Sequence, residues 1–283
     1  MPDGRRLADG RREVLIKIIT KVDRIEGGSR QTRDDHLAVE EPLEIRLDGK
    51  SIAVLMRSPD NDEELAAGFL YTESIIQSAD ELASVAHRHD PKNPDLANVV
   101  DVVTTGGIDL EKRGWQRNFV SASSCGLCGK LTIESVRLQV PSVRDDTLSV
   151  TPALLRALPD KMRAEQSGFD ETGGIHAAGL FDGEGNLLLV REDIGRHNAV
   201  DKIVGASVLG GNVPLRGHVL MVSGRTSFEI VQKALMARIP LVAAVSAASS
   251  LAVELADSCS MGLVGFLRSD SLNVYAGSNR VED

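Results

Sequence analysis

Aromatic residues are scarce in this chain of 283 residues, which has one Trp, two Tyr and six Phe. An interior with so few rings must be filled by Val, Ile, Leu and Ala, which suits an α/β core. Cysteine is almost absent too. Three cysteines, two of them close together, cannot form a disulfide framework, and this pattern points to a reducing, cytoplasmic setting. Long apolar runs are missing: Val14-Leu15-Ile16 is broken at Lys17, so neither a signal segment nor a membrane span is expected. Basic charge is in deficit, with a net charge of −9, which argues against a general nucleic-acid binder. It leaves room for a local basic pocket.

What is present centres on Ser123-Ser124-Cys125-Gly126-Leu127-Cys128-Gly129-Lys130. Cys125 and Cys128 form a Cys-x-x-Cys pair among glycines and serines, a composition that suits an accessible loop. A thiol acts as nucleophile or ligand only as its thiolate, and Lys130 and the Cys-x-x-Cys turn both favour that form. A working thiol pair and a structural metal clip are the two readings of this loop. Cys259, in the apolar stretch from Ala256 to Leu263, is expected to be buried and inert.

The pattern divides the chain into a basic tail (1–35), a small α+β domain ending in the cysteine loop (36–146) and an α/β domain (147–283). The tail carries at most one edge strand, near Ile16–Val22. Leu43–Leu47 and Ile52–Met56 alternate around Asp48-Gly49 and predict a hairpin. Ser58-Pro59-Asp60-Asn61-Asp62 opens a helix with Leu65, Phe69 and Leu70 inside, and Asn98–Thr104 is a strand. Lys130–Val140 fits a helix or a strand equally well. Thr151-Pro152 starts a helix that Pro159 should break into two short pieces before Gly168. From Thr172 onward the chain alternates strands and helices, beginning with a hairpin over Ala178–Phe181 and Leu187–Val190. Near-continuous apolar strands at His218–Val222, Pro240–Val245 and Gly262–Phe266 predict a largely parallel sheet in a three-layer α/β sandwich.

Ligands of open α/β sheets sit where strands end and helices begin. Three such ends are polar here. Arg191–Asn198 packs two carboxylates, two guanidiniums and an imidazole into eight residues, as either a self-paired surface turn or a binding rim. Ser223-Gly224-Arg225-Thr226-Ser227 precedes a helix, with Thr226 to Glu229 reading as a capping box. Arg225 and Thr226 there would suit a phosphate, although a plain cap explains the hydroxyls as well. Gly265–Ser271 offers an aromatic, a cation and hydrogen-bonding side chains, fit for a base and a phosphate or for a simple turn. His176, among glycines, is either a core histidine or a ligand.

These stretches together resemble the FdhD family, sulfur carrier proteins or sulfurtransferases needed for formate dehydrogenase activity. The resemblance is carried by Ser124–Gly129, Thr172–Ala178, Arg191–Lys202 and Ser223–Ser227, with Glu41–Leu43 and Asp62–Leu70 in the first domain. It extends over roughly residues 40–276. The resemblance implies a cytoplasmic homodimer whose second domain has a cytidine-deaminase-like fold. It implies an activity in which persulfide sulfur is accepted from a cysteine desulfurase and passed to the molybdenum of the bis(molybdopterin guanine dinucleotide) cofactor. The sulfurated cofactor then goes to formate dehydrogenase, so the cofactor is bound substrate and no permanent cofactor is held. The family's persulfide cysteine falls on Cys125 and its second cysteine on Cys128. Its cofactor-binding stretch falls on Phe266, Leu267, Arg268, Ser269, Asp270 and Ser271.

Rival readings fare less well. A zinc deaminase needs a Glu beside its His ligand and a Pro-Cys-x-x-Cys helix start. Here Ala178 follows His176-Ala177, and Ser124 precedes Cys125. A thiol–disulfide oxidoreductase wants its Cys-x-x-Cys after the first strand of a βαβ unit, which this loop lacks. A zinc-binding interaction module using Cys125, Cys128 and Cys259 with a histidine is the remaining alternative.

Overall fold

The computed structural model describes residues 15–88, 98–113 and 140–282. The cysteine loop, with Cys125, Cys128 and Lys130, lies outside the described residues, as does Lys130–Val140 except its last residue.

Strands β1 (Lys17–Glu26) and β2 (Ser29–Ala38) pair antiparallel along their whole length, from Lys17↔Ala38 to Glu26↔Ser29. This ladder replaces the tail with a single edge strand expected from sequence. Its turn is Gly27-Gly28, both at positive φ, the backbone that a two-residue hairpin loop requires. The charges interleaved along both strands hid the alternation.

The expected hairpin of β3 (Glu41–Leu47) and β4 (Lys50–Arg57) forms around Asp48-Gly49. With β5 (Leu82–His87) and β6 (Val99–Thr104) it makes a four-stranded sheet in the order β4-β3-β6-β5, with β3 and β6 parallel. Period-two alternation turns Leu43, Ile45, Leu47, Val100 and Val102 inward. Helix α1 (Asp62–Thr72) packs Leu65, Ala66 and Leu70 into the same core.

The second sheet has the order β12-β11-β10-β9-β7-β8. Its strands are β7 (His176–Phe181), β8 (Leu187–Asp193), β9 (Val219–Val222), β10 (Leu241–Ala244), β11 (Gly262–Gly265) and β12 (Asn273–Ala276). Within this sheet only the β9–β10 and β10–β11 pairings are parallel among the described residues, so the largely parallel sheet expected from sequence is in fact mixed. The connections explain this. Strand β7 reaches β8 by a tight turn, and β11 reaches β12 by a short loop. Neither has room for the crossover that a parallel neighbour needs.

Helices cover both faces. Helix α2 (Pro152–Arg163) covers one face, with the short α3 (Ser167–Thr172) after it, while α4 (Arg196–Leu209), α5 (Phe228–Met236) and α6 (Ser250–Ser258) cover the other. The strands divide their side chains accordingly. Leu220, Val222, Val242 and Leu263 join one core, and Val219, Met221, Leu241 and Val264 join the second with Leu155, Leu158 and Met162 of α2. This is the three-layer sandwich. Helix α2 runs unbroken through Pro159, against expectation. A proline inside a helix costs about 3 kcal/mol. Burial of Leu155, Leu158 and Met162 around it, with Pro152 and the Thr151 cap at the start, offsets that cost.

The larger core runs across residue 146. It contains Leu43, Leu65 and Val100 together with Val200, Leu220 and Ile230. The seam is the crossing of α1 on α4. A methyl group on Gly68 would collide with the Asp201 backbone carbonyl, and one on Gly205 with the Glu64 carbonyl. The two backbones touch where neither helix has a side chain. Gly205→Ala should therefore destabilise by about 3 kcal/mol or more, since overpacking against backbone finds no rotamer to relax into. Gly106→Ala, where added bulk meets open space, should stay within about 1 kcal/mol of the parent. Urea unfolding midpoints of the two variants check this.

Candidate functional site

The polar stretch that ends β8 and leads into α4 is neither a solvated turn nor a free rim. Arg191 makes a two-pronged pair with Glu64 of α1, at 2.5 and 2.7 Å. The Glu192 carboxylate accepts from the N–H groups of Gly168 and Phe169, at 2.8 and 2.9 Å, and so caps α3. Asp193, fully buried, pairs with Lys202 at 2.8 Å and accepts from Gly195 N–H and Asn198 Nδ2. Lys202 also donates to the carbonyls of Ser58 and Glu192. Most of this cluster is thus spent on joining the two sheets. Truncating one partner of such a buried pair costs about 3–5 kcal/mol.

A second buried network was not anticipated from sequence. Lys233 of α5 donates to Asp201 at 2.8 Å and to Thr72 Oγ1 at 3.1 Å, with Glu73 at 3.4 Å. Burial opposes the Lys233 charge, but the Asp201 and Glu73 carboxylates outweigh it and hold its pKa above the ordinary lysine value. The available signal was a charged residue on each apolar helix face, Asp201 beside Val200 and Lys233 beside Ala234.

What remains uncommitted gathers at the strand ends between α4 and α5. His197 Nε2 lies 3.1 Å from Ser227 Oγ and 3.2 Å from Glu229 Oε2, so the first turn of α4 touches the start of α5. Burial, reinforced by the charges of Arg196 and Lys233, lowers the His197 pKa to about 3. Burial likewise raises the Glu229 carboxyl above its usual range. His176, at the start of β7, has Nδ1 at 3.4 Å from Ser223 Oγ. Its pKa is lowered by burial first and the Arg196 charge second.

The expected capping box at Thr226–Glu229 does not form. Helix α5 starts at Phe228 with Ser227 as its N-cap, and no side chain caps it. The Thr226 N–H donates to the Ala247 carbonyl at 3.0 Å and Thr226 bridges to Ala248, so this N–H cannot face a phosphate. The Thr226 hydroxyl is buried without a hydrogen-bond partner. Tertiary pairing of the two strand-end turns overrides the local cap. Arg225 is exposed, and no hydrogen bond or ion pair ties it to another described residue.

The stretch expected to hold the cofactor divides in two. Phe266, Arg268, Ser269, Asp270 and Ser271 are exposed, whereas Leu267 is buried in the core against α2 and cannot contact a ligand through its side chain. Phe266 sits in the left-handed region at φ 49° and is 42% exposed. Its backbone is held there by Phe266 N–H to Ser246 carbonyl, at 3.1 Å, and Leu267 N–H to Ala244 carbonyl, at 3.1 Å. Arg268 donates to the Val245 carbonyl at 2.6 Å. A bulky residue at positive φ costs on the order of 1–3 kcal/mol and marks a constrained site. The end of β9 therefore presents Arg225, and the end of β11 presents Arg268 and a displayed aromatic ring.

Cys259 is buried at the end of α6, and its carbonyl accepts from Val143 N–H and Ser142 Oγ. No group of three His, Cys, Asp or Glu able to hold a metal occurs among the described residues. Nor is any described helix long and apolar enough to cross a membrane.

Comparison with known proteins is decisive for kinship. The family model described as FdhD/NarQ matches residues 38–282. The chain belongs to the FdhD/NarQ family. It is 52% identical over 265 residues to a Streptomyces avermitilis protein named sulfur carrier protein FdhD, covering 92% of this chain and 94% of that one. A Sulfolobus acidocaldarius protein of the same name is 39% identical over 262 residues, 93% of this chain and 97% of that one. A crystal structure of a Desulfotalea psychrophila protein assigned as a formate dehydrogenase accessory protein superposes with a TM-score of 0.74 at 25% identity. That alignment covers 95% of this chain and all of the other. Family membership does not favour the zinc-binding alternative built on Cys125, Cys128 and Cys259.

The neutral state of His197 has a thermodynamic consequence. Its folded pKa of about 3 lies below the ordinary histidine value of 6.5, so below pH 6.5 the unfolded chain binds the extra proton. Its contribution to stability is then complete above pH 6.5 and is lost progressively as the pH falls from 6.5 towards 3. In denaturant titrations across that window, His197→Gln should show a shallower loss of stability with acid than the parent. Parallel curves would contradict the assignment.

Proposed function

We propose that this chain is a sulfur carrier that accepts persulfide sulfur from a cysteine desulfurase and delivers it to the molybdenum of the bis(molybdopterin guanine dinucleotide) cofactor destined for formate dehydrogenase. The relatives named sulfur carrier protein FdhD and the formate dehydrogenase accessory neighbour support its first and last terms. In the first transfer the Cys125 thiolate attacks the outer sulfur of the desulfurase persulfide. A new S–S bond forms on Cys125, and the desulfurase cysteine leaves as a thiolate. Lys130, five residues on, favours the attacking thiolate. Cys128 is a second thiol three residues further along the chain.

The observation that carries the cofactor half of the reading is Phe266, held at positive φ and displayed beside Arg268 and the end of β10. A ring exposed at such a backbone cost suits stacking against a planar base. Exposed Arg225, at the end of β9, supplies a charge-assisted fork for the adjoining diphosphate. A cofactor with two guanine dinucleotide arms matches two symmetric crevices, so the working form in this reading is a cytoplasmic homodimer with one arm per subunit. The cofactor is cargo rather than a resident group.

Two experiments test this. Cys125→Ser should leave formate dehydrogenase without activity in a host lacking its own carrier, while Cys259→Ser should restore it fully. An active Cys125→Ser chain overturns the persulfide route. In calorimetric titrations GDP should bind more tightly than ADP, and Arg225→Ala should weaken GDP by about tenfold or more, the worth of one charge-assisted bond. Equal binding of GDP and ADP removes base recognition from the account.

A further inference from the structure

Among the described residues, the buried charged side chains all meet a partner of opposite charge: Arg57 meets Asp62, Lys202 meets Asp193, Lys233 meets Asp201 and Glu73, and Arg280 approaches Asp146. Arg196, less deeply placed, has no such partner. It is partly buried, its Nε is enclosed without a hydrogen-bond partner, and no ion pair joins it to another described residue. An enclosed donor left unpaired is costly, and a guanidinium more so, unless something absent from the free protein completes it.

Its surroundings define what that something is. Arg196 is the first residue of α4, a 14-residue helix with no acidic residue in its first turn and no side-chain cap. Helix starts favour negative charge, yet this one carries Arg196 and His197. The N-terminal end of α5 meets it through His197 and Ser227, and it too lacks a side-chain cap. The Gly224 backbone comes close to both side chains, and no residue with a side chain fits there without crowding: a Cβ would lie 3.3 Å from His176 Nδ1 and 3.4 Å from Arg196 Cδ. Of the two carboxyls nearby, Glu229 is shifted by burial towards its neutral form, and Asp193 is committed to Lys202 and the Gly195 N–H.

We propose that Arg196, His176 and the Gly224 turn form an oxyanion-binding site between the two helix starts, separate from the exposed Arg225. The chemistry is that of a compact, oxygen-rich anion held by a guanidinium fork and two positive helix ends. On the cofactor reading above, and resting on it, the natural occupant is an anionic group of the cargo. A phosphate of the nucleotide arm and the oxo-bearing metal end share this chemistry.

Tungstate is the probe, titrated calorimetrically into the full chain. The parent should bind it, and Arg196→Gln should bind about tenfold more weakly or worse, as expected for loss of a charged hydrogen bond. Arg196→Lys, which keeps the charge but not the fork, should fall between them. Thermal melts of both variants show whether the fold is kept, and Arg196→Lys carries the test if the glutamine variant does not fold. Tungstate binding absent from the parent, or undiminished in both variants, overturns the proposal. GDP then separates the sources: displacement of tungstate by GDP assigns the site to a phosphate, and simultaneous binding assigns it to the metal end. If GDP does not bind but tungstate still depends on Arg196, the guanine reading falls and the oxyanion site stands.

Discussion

Two helix backbones touch where Gly68 of α1 faces Asp201 and Gly205 of α4 faces Glu64, with no room for a side chain on either glycine. Contact at that range fixes how the first sheet, which α1 covers, sits on the second, which α4 covers. The polar ties are arranged around it: Arg191 on Glu64, Lys233 on Asp201 and Thr72, and Lys202 between Asp193 and the Ser58 carbonyl. Each joins a residue between 58 and 73 to the second half or braces a helix that does so. Buried charges contribute little net stability compared with apolar isosteres, but they punish any register other than the one that pairs them. The glycine crossing permits the approach, and the charges make it specific.

Function depends on this seam because α4 begins at the strand ends. With its middle clamped to α1, the first turn of α4 is held against the N-cap of α5, and Arg196, His197 and His176 are brought to the Gly224 turn without any ligand. A site organised in advance avoids the ordering cost that binding would otherwise incur. The exposed groups Arg225, after β9, and Phe266 and Arg268, after β11, lie at the same end of these parallel strands. On the proposed reading, this end of the sheet offers cationic and aromatic groups to a polyanionic nucleotide in a protein whose net charge is −9.

The sequence announced elements whose signal is local. Asp48-Gly49 between alternating strands, the turn between β7 and β8, and the strand–helix alternation after residue 172 all appear where the residues place them. Its silence was tertiary. Pro159 forecast a break that burial of Leu155, Leu158 and Met162 overrides, and Thr226 forecast a cap that pairing with Ala247 and Ala248 replaces. Of the site, the strand ends were legible but their division of labour was not. Arg191, Glu192 and Asp193 look as available as Arg196 in a list of letters, and only their partners across the seam show that they are spent. Leu267 shows the converse, since a motif matched by resemblance included a side chain that faces the core.

The central claim is that this chain carries sulfur on Cys125. Its most direct test is peptide mass spectrometry after incubation of the full chain with a cysteine desulfurase and free cysteine. The account predicts the mass of one added sulfur atom on the peptide containing Cys125, removed by a thiol reductant, with the Cys259 peptide unchanged. No added sulfur anywhere, or added sulfur on Cys259 instead, would contradict it.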